Sequence, residues 1–170
     1  MAVRRVPGAA RVLDPPRARA VALDLLSRKA WTRRDLSARL VRRGASAALA
    51  TVVVADLEVR GHVDDRAFAL AWVESRASGR GLGNRRLREE LGAKGVARPL
   101  VDEALRDAGV LDDEETRARA VALRRVGALK RGTPAEVGRR LHGYLVRRGF
   151  PPDVVRRVMR QVSGIAIEDT

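Results

Sequence analysis

Cysteine is absent from the 170 residues, which excludes disulfides, thiolate nucleophiles and cysteine-ligated zinc or iron–sulfur centres. Aromatic residues make up only 3% of the chain against 45% hydrophobic residues overall, so a core must be built from Leu, Val and Ala, which favours helix packed on helix. Long apolar runs are also missing. The longest uncharged apolar stretch, Ala45 to Ala55, falls well short of the roughly 20 residues that span a bilayer, and no transmembrane segment is expected. The first residues, Met1 to Arg19, are basic but interrupted by Pro7, Pro15 and Pro16 and lack an apolar h-region, so they read as a disordered arm rather than a secretory signal. A cytoplasmic location is the expectation. His62 and His142 are the only histidines and lie far apart, which leaves no zinc site and no nucleophilic triad to propose.

Positive charge is abundant. Lys and Arg number 35 against 21 Asp and Glu, a formal charge of +14, the balance of a protein that meets a polyanion. Only Lys29, Lys94 and Lys130 are lysines, a skew that a GC-rich coding sequence would also produce. Residues 1–60 carry 13 basic and 5 acidic side chains, 61–108 carry 9 and 8, and 109–170 carry 13 and 8, so the two ends are basic and the middle nearly neutral.

An internal repeat organises the chain. Gly44, Gly95 and Gly149 each follow a Leu four residues earlier (Leu40, Leu91, Leu145) and another eight earlier (Leu36, Leu87, Leu141). Residues i and i+4 share a helix face, so each pair is a buried stripe on a helix that a left-handed glycine ends. A second landmark, Gly61-His62-Val63-Asp64-Asp65, returns as Gly109-Val110-Leu111-Asp112-Asp113, where the acidic pairs are expected to cap the following helices. The repeat predicts an all-α fold of three tandem three-helix, helix-turn-helix-like units stacked into an elongated, curved, solenoid-like chain. The units would cover residues 17–60, 61–108 and 109–163, after a basic arm at 1–16 and before a tail at 164–170.

Within them, helices are expected at 17–28, 33–43 and 47–60, then 64–78, 84–94 and 99–108, then 112–129, 134–148 and 152–162. Thr32, Ser46, Asn84 and Thr133 read as N-caps, and Pro99, Pro134 and Pro152 suit first-turn positions. Core stripes are expected from Leu49, Val52, Val53 and Leu57, from Phe68 and Trp72, and from Val154, Val155, Val158 and Val162. A strand over Thr51 to Val54 is the alternative for the first of these, because the run is β-branched. Trp31 and Trp72 are expected in the core rather than on a base-stacking platform.

Gly79-Arg80-Gly81-Leu82-Gly83 follows a helix and matches neither nucleotide-binding fingerprint, so it reads as a flexible connection. That connection would gather Arg76, Arg80, Arg85 and Arg86 into a basic cluster able to touch phosphate or an acidic surface. Arg33 and Arg34 stand in a first helical turn, against the dipole preference. Arg42 and Arg43, with Arg139, Arg140, Arg147 and Arg148, form further basic bands, although last-turn placement explains several of them without a ligand. These twelve arginines are the candidate partner- or phosphate-binding residues. Asp64-Asp65 and Asp112-Asp113 lack a third carboxylate or a histidine at ligand spacing, so no catalytic residue, metal site or cofactor is expected.

From Ala22 to about Asp107 the chain resembles the RecX family of recombination regulators. The matching words are Ala22-Leu23-Asp24-Leu25-Leu26-Ser27-Arg28, Asp35-Leu36, Leu40-Val41-Arg42-Arg43-Gly44 and Gly61-His62-Val63-Asp64-Asp65-Arg66-Ala67-Phe68-Ala69. They continue through Trp72-Val73, Arg76, Gly81, Leu87, Glu90-Leu91, Lys94-Gly95-Val96 and Val101. The third unit matches more loosely, through Ala135, Leu145, Arg148-Gly149-Phe150 and Val154; the proline- and arginine-rich arm and Pro99 depart from the pattern. The resemblance implies a non-enzymatic regulator that lies along the RecA recombinase filament and its single-stranded DNA, and a monomer is expected. It further implies lowered RecA ATP hydrolysis, strand exchange and coprotease activity in recombination, DNA repair and the SOS response. The alternative function from the residues alone is a stand-alone helix-turn-helix-like DNA-binding protein.

Overall fold

Capping side chains, first-turn prolines and left-handed glycines set many of the helix boundaries among the described residues. The computed structural model describes residues 12–129 and 133–168, with side-chain surroundings as far as Val162. The segment expected as a tail at 164–170 instead continues the last helix as far as Glu168, described there only as backbone, and residues 1–11 of the expected arm lie outside the described residues. Among the described residues there are helices α1 (Pro15–Arg28), α2 (Arg33–Arg42), α3 (Ala47–Val59), α4 (Asp65–Gly79), α5 (Asn84–Ala93), α6 (Arg98–Asp107), α7 (Glu114–Ala128), α8 (Pro134–Arg147) and α9 (Pro152–Glu168), and no strand. The β-branched run of α3 is helical.

Side-chain oxygens of Thr32 and Ser46 accept the N–H groups of Asp35 and Leu49 at 3.1 Å each, closing the first turns of α2 and α3. Thr133 and Glu136 form a reciprocal capping box at α8. Proline occupies the first turns of α1, α6 and α8, where its missing N–H has no helical partner to lose. Pro15 and Pro16 thus open α1 behind the Asp14 cap, two residues before the expected start, instead of breaking an arm.

The repeat glycines end helices in one way. At Gly44 (φ 102°), the Gly44 N–H donates to Val41 O at 3.0 Å and the Ala45 N–H to Leu40 O at 3.1 Å, the paired bonds of a Schellman motif. The same pair recurs around Gly61, Gly95, Gly109 and Gly149, all at positive φ.

The chain divides into two compact units, Met1–Phe68 and Ala69–Thr170. In the first, α1, α2 and α3 enclose a core of Ala18, Ala22, Leu25, Leu36, Leu40, Ala50, Val53, Val54 and Leu57. Ala18, Ala22 and Ala50 are fully buried, so α1 and α3 approach through small residues. This corrects the expected α3 stripe: Val52 is 65% exposed, and Ala50 takes its place on the inner face.

In the second unit α5 packs on α6, and α7 packs on α8 and α9. Leu87, Leu91, Val101, Ala104 and Leu105 are buried in the former. Val121, Leu141, Leu145, Phe150, Val154, Val155, Val158 and Val162 form the core of the latter, as the valine stripe of α9 predicts. The buried residues of α4 are Ala69, Val73 and Ala77. Phe68 and Trp72 are only half-buried beside them, a second correction.

Candidate basic surface and the joint that shapes it

Acidic residues at the start of one helix reach back to the start of another. Asp64 caps its own helix, its Oδ1 accepting the Ala67 N–H at 2.9 Å, whereas Asp65 Oδ1 accepts the Arg33 N–H at the first residue of α2, also at 2.9 Å. The Arg33 guanidinium meets Glu58 at 3.1 Å. Two carboxylates therefore offset an arginine that helix polarity alone would disfavour.

The equivalent joint in the second unit is more deeply buried. Glu114, the first residue of α7, accepts the backbone N–H of Asn84 at 2.6 Å and its Nδ2 at 3.0 Å. Asn84 is therefore not a cap. Gly83 holds that position, and the buried Asn84 side chain is the hub of a polar network. Arg117 completes it, donating to Leu82 O at 2.7 Å, Asn84 Oδ1 at 2.6 Å and Val110 O at 2.9 Å. Burial pushes the Glu114 carboxyl above its ordinary range, against the Asn84 hydrogen bond and the Arg117 charge. The pair Asp112-Asp113 does not cap as expected: Asp113 sits at the N-cap position without a side-chain bond, and Glu114 turns to Asn84 instead.

The glycine-rich connection is closely packed rather than flexible: Gly81, Leu82, Gly83 and Asn84 are all buried. A Cβ on Gly83 would stand 2.5 Å from the backbone of Gly149 and Phe150, and one on Gly149 would overlap the Arg86 backbone. The Gly83 N–H donates to Arg148 O at 2.8 Å, so the start of α5 lies directly on the turn between α8 and α9.

This packing sorts the candidate arginines. Arg76 lies 4.1 Å over the Trp72 ring and 3.9 Å from Glu90, which also accepts the Trp72 Nε1 proton at 3.1 Å. Arg86 contacts Glu89 and Glu90 at 3.5 Å, and Arg85 approaches Glu89 at 3.9 Å while donating to Val146 O at 3.2 Å. The expected four-arginine cluster is thus not a free cationic patch, because Glu89 and Glu90 compensate three of its members. Arg80 points elsewhere, into a depression with Arg124, Arg125, Tyr144 and Arg148.

Arg34, Arg42, Arg43, Arg139, Arg140 and Arg147 are exposed. Arg148 is half-buried, 4.5 Å over the Tyr144 ring, so the Arg147-Arg148 band splits into one solvent-facing and one packed side chain. Trp31 and Trp72 are likewise half-buried, with Lys29 at 3.9 Å over the first and Lys94 at 4.6 Å over the second. Arg117, Arg124 and Arg125 lie outside the expected basic clusters. Their positions one turn from the buried Val121 on α7 were the available signal.

Ion pairs tie the helices at the surface. Asp56, held below the usual carboxylate range by the Arg60 hydrogen bond, also meets Arg19 at 2.6 Å. Glu115, lowered by its Arg157 hydrogen bond at 2.6 Å, joins α7 to α9. Among the described residues, no group of three His, Asp or Glu is placed to hold a metal ion, and no helix is long and apolar enough to cross a membrane.

These features define a basic, all-helical repeat protein whose surface chemistry is dominated by guanidinium groups. Residues 64–105 match the model of the second three-helix domain of RecX, and residues 112–159 that of the third. A regulatory protein RecX of Streptomyces coelicolor is 40% identical over 92% of this chain and 86% of its own length. One from Halorhodospira halophila is 42% identical over 81% and 83%. The fold matches a crystal structure of a regulatory protein RecX with a TM-score of 0.77 at 20% identity, covering 85% of this chain and 72% of the other. The chain belongs to the RecX family of regulatory proteins.

Proposed function

We propose that this protein binds the RecA filament on single-stranded DNA and restrains it, lowering ATP hydrolysis, strand exchange and coprotease activity. Family membership across most of the chain is the observation that carries this reading. Tandem three-helix units, with boundaries proposed near Gly61 and Gly109, would suit a polymeric partner. Arginines that stand in solvent, Arg42, Arg43, Arg139 and Arg147 among them, supply sequence-independent attraction to phosphate. The protein acts in this scheme as a monomer in the cytoplasm, without a cofactor and without catalysis, in recombination, repair and the SOS response.

The test is a titration of the full chain into RecA hydrolysing ATP on single-stranded DNA. Hydrolysis is expected to fall at substoichiometric protein, and the effect to weaken with salt. Unchanged hydrolysis across the titration at low salt rejects the proposal.

A further inference from the structure

The depression beside the glycine-rich connection gathers four arginines of the second unit in one place. It is an open hollow of about 260 Å³ between the end of α4, α7 and α8, lined by Arg80, Arg124, Arg125, Tyr144 and Arg148. Among the described residues no carboxylate lines it; Glu74 and Asp113 belong to the adjoining depression, which shares Val121 and Arg124. None of the four arginines is ion-paired to another described residue. Arg124 Nη2 and Arg148 Nη1 lie 3.7 and 3.8 Å from the single point where a Gly81 Cβ would stand, so two guanidinium groups converge there. Arg148 Nε is buried without a hydrogen-bond partner among the described residues, an arrangement that costs stability.

We infer that this hollow is a phosphate-binding site formed by Arg80, Arg124, Arg125 and Arg148. Four guanidinium groups offer more charge and more N–H donors than one carboxylate can use, whereas a phosphate has several oxygens to accept them. Arg125 and Arg148 lie 4.9 and 4.5 Å over the Tyr144 ring, so that ring is already covered by cations and is not a platform for a base. The group recognised is the phosphate itself. The loop glycine has a purpose here: at Gly81, with φ +59°, a side chain would overlap Val121, so only glycine lets Arg80 and α7 close around the hollow. The site deepens the functional reading above, on which its place at a nucleoprotein rests, but its chemistry is testable without RecA.

The experiment follows the arginine Nε–Hε resonances of the full chain by nuclear magnetic resonance during three titrations at constant ionic strength. The probes are sodium phosphate, a short oligothymidylate and a hexaglutamate peptide. Saturable shifts of Arg124 and Arg148 with phosphate, oligothymidylate or both are expected, and their relative affinities tell a free phosphate from a phosphodiester. The double variant Arg80→Ala/Arg124→Ala is expected to weaken binding by about tenfold and, for the oligothymidylate, to flatten the logarithmic salt dependence by about 1.4, or 0.7 per cation on a single strand. Removing two exposed arginines of α6, Arg98→Ala/Arg106→Ala, controls for net charge and is expected to change phosphate affinity less than about twofold. The inference is overturned if neither phosphate probe shifts Arg148, if both double variants lose affinity equally, or if hexaglutamate binds as tightly as the oligothymidylate. Loss of phosphate binding with RecA inhibition intact would uphold the site and count against its use at the filament.

Discussion

Replacing Arg117 with alanine removes the cation that holds the start of α5 against α7. Its guanidinium donates to three acceptors, Leu82 O, Asn84 Oδ1 and Val110 O, all within 2.9 Å, and lies beside the half-buried Glu114. Hydrogen bonds to a charged group contribute about 1.5–3 kcal/mol each where fully buried, and breaking a buried pair costs about 3–5 kcal/mol. Arg117 is only partly buried and its three bonds are not additive, so the expected loss is about 3 kcal/mol, or a fall of roughly 6–12 °C in Tm for a chain of this length. Thermal and urea unfolding followed by circular dichroism measures it, with Arg119→Ala, an exposed residue on the same helix, expected within about 0.5 kcal/mol of the parent. A loss below about 1 kcal/mol at Arg117 would refute the claim that this network joins the helices.

Gly149→Ala is expected to destabilise by about 3 kcal/mol, from the left-handed backbone and the overlap with Arg86, read by the same unfolding curves; a neutral result would mean that α5 can move off the α8–α9 turn. Thr133→Ala removes half of the α8 capping box and should cost about 1 kcal/mol, with Thr133→Asp recovering most of it in the same assay. For Glu114→Gln the sign of the pH dependence is the test. Burial raises the folded-state pKa above the ordinary 4.5, so the folded chain holds a proton that the unfolded chain has released between those values. Parent stability relative to the variant should therefore be greatest in acid and decline as pH rises through that window; a difference that grows with pH contradicts the assignment.

What the sequence made legible was local. Thr32, Ser46 and Thr133 sit next to the amides they cap, and Gly44, Gly61, Gly95, Gly109 and Gly149 satisfy carbonyls only a few residues away, so each signal is contained in a short window. What escaped was decided by packing between distant segments. Val52 and Ala50 both fit a helical stripe, and Ala50 faces inward because Ala18 and Ala22 let α1 come close. Asn84 looks like a cap beside its own helix, but Glu114 and Arg117, about thirty residues on, claim its side chain. The basic cluster divides between the two cases. Arg85 and Arg86 meet Glu89 and Glu90 three and four residues on within α5, a signal the local sequence contains, whereas Arg76 reaches Glu90 only across α4 and α5 and Arg80 finds its companions on α7 and α8.

The central claim is that the partner is the nucleoprotein filament and not bare DNA. Sedimentation of the full chain with RecA filaments formed on single-stranded DNA, in parallel with the same DNA free of RecA and at near-physiological salt, tests it directly. Pelleting with the filament at concentrations where naked DNA retains little of the chain is the predicted result; equal retention by both would contradict the account and leave a plain DNA-binding protein.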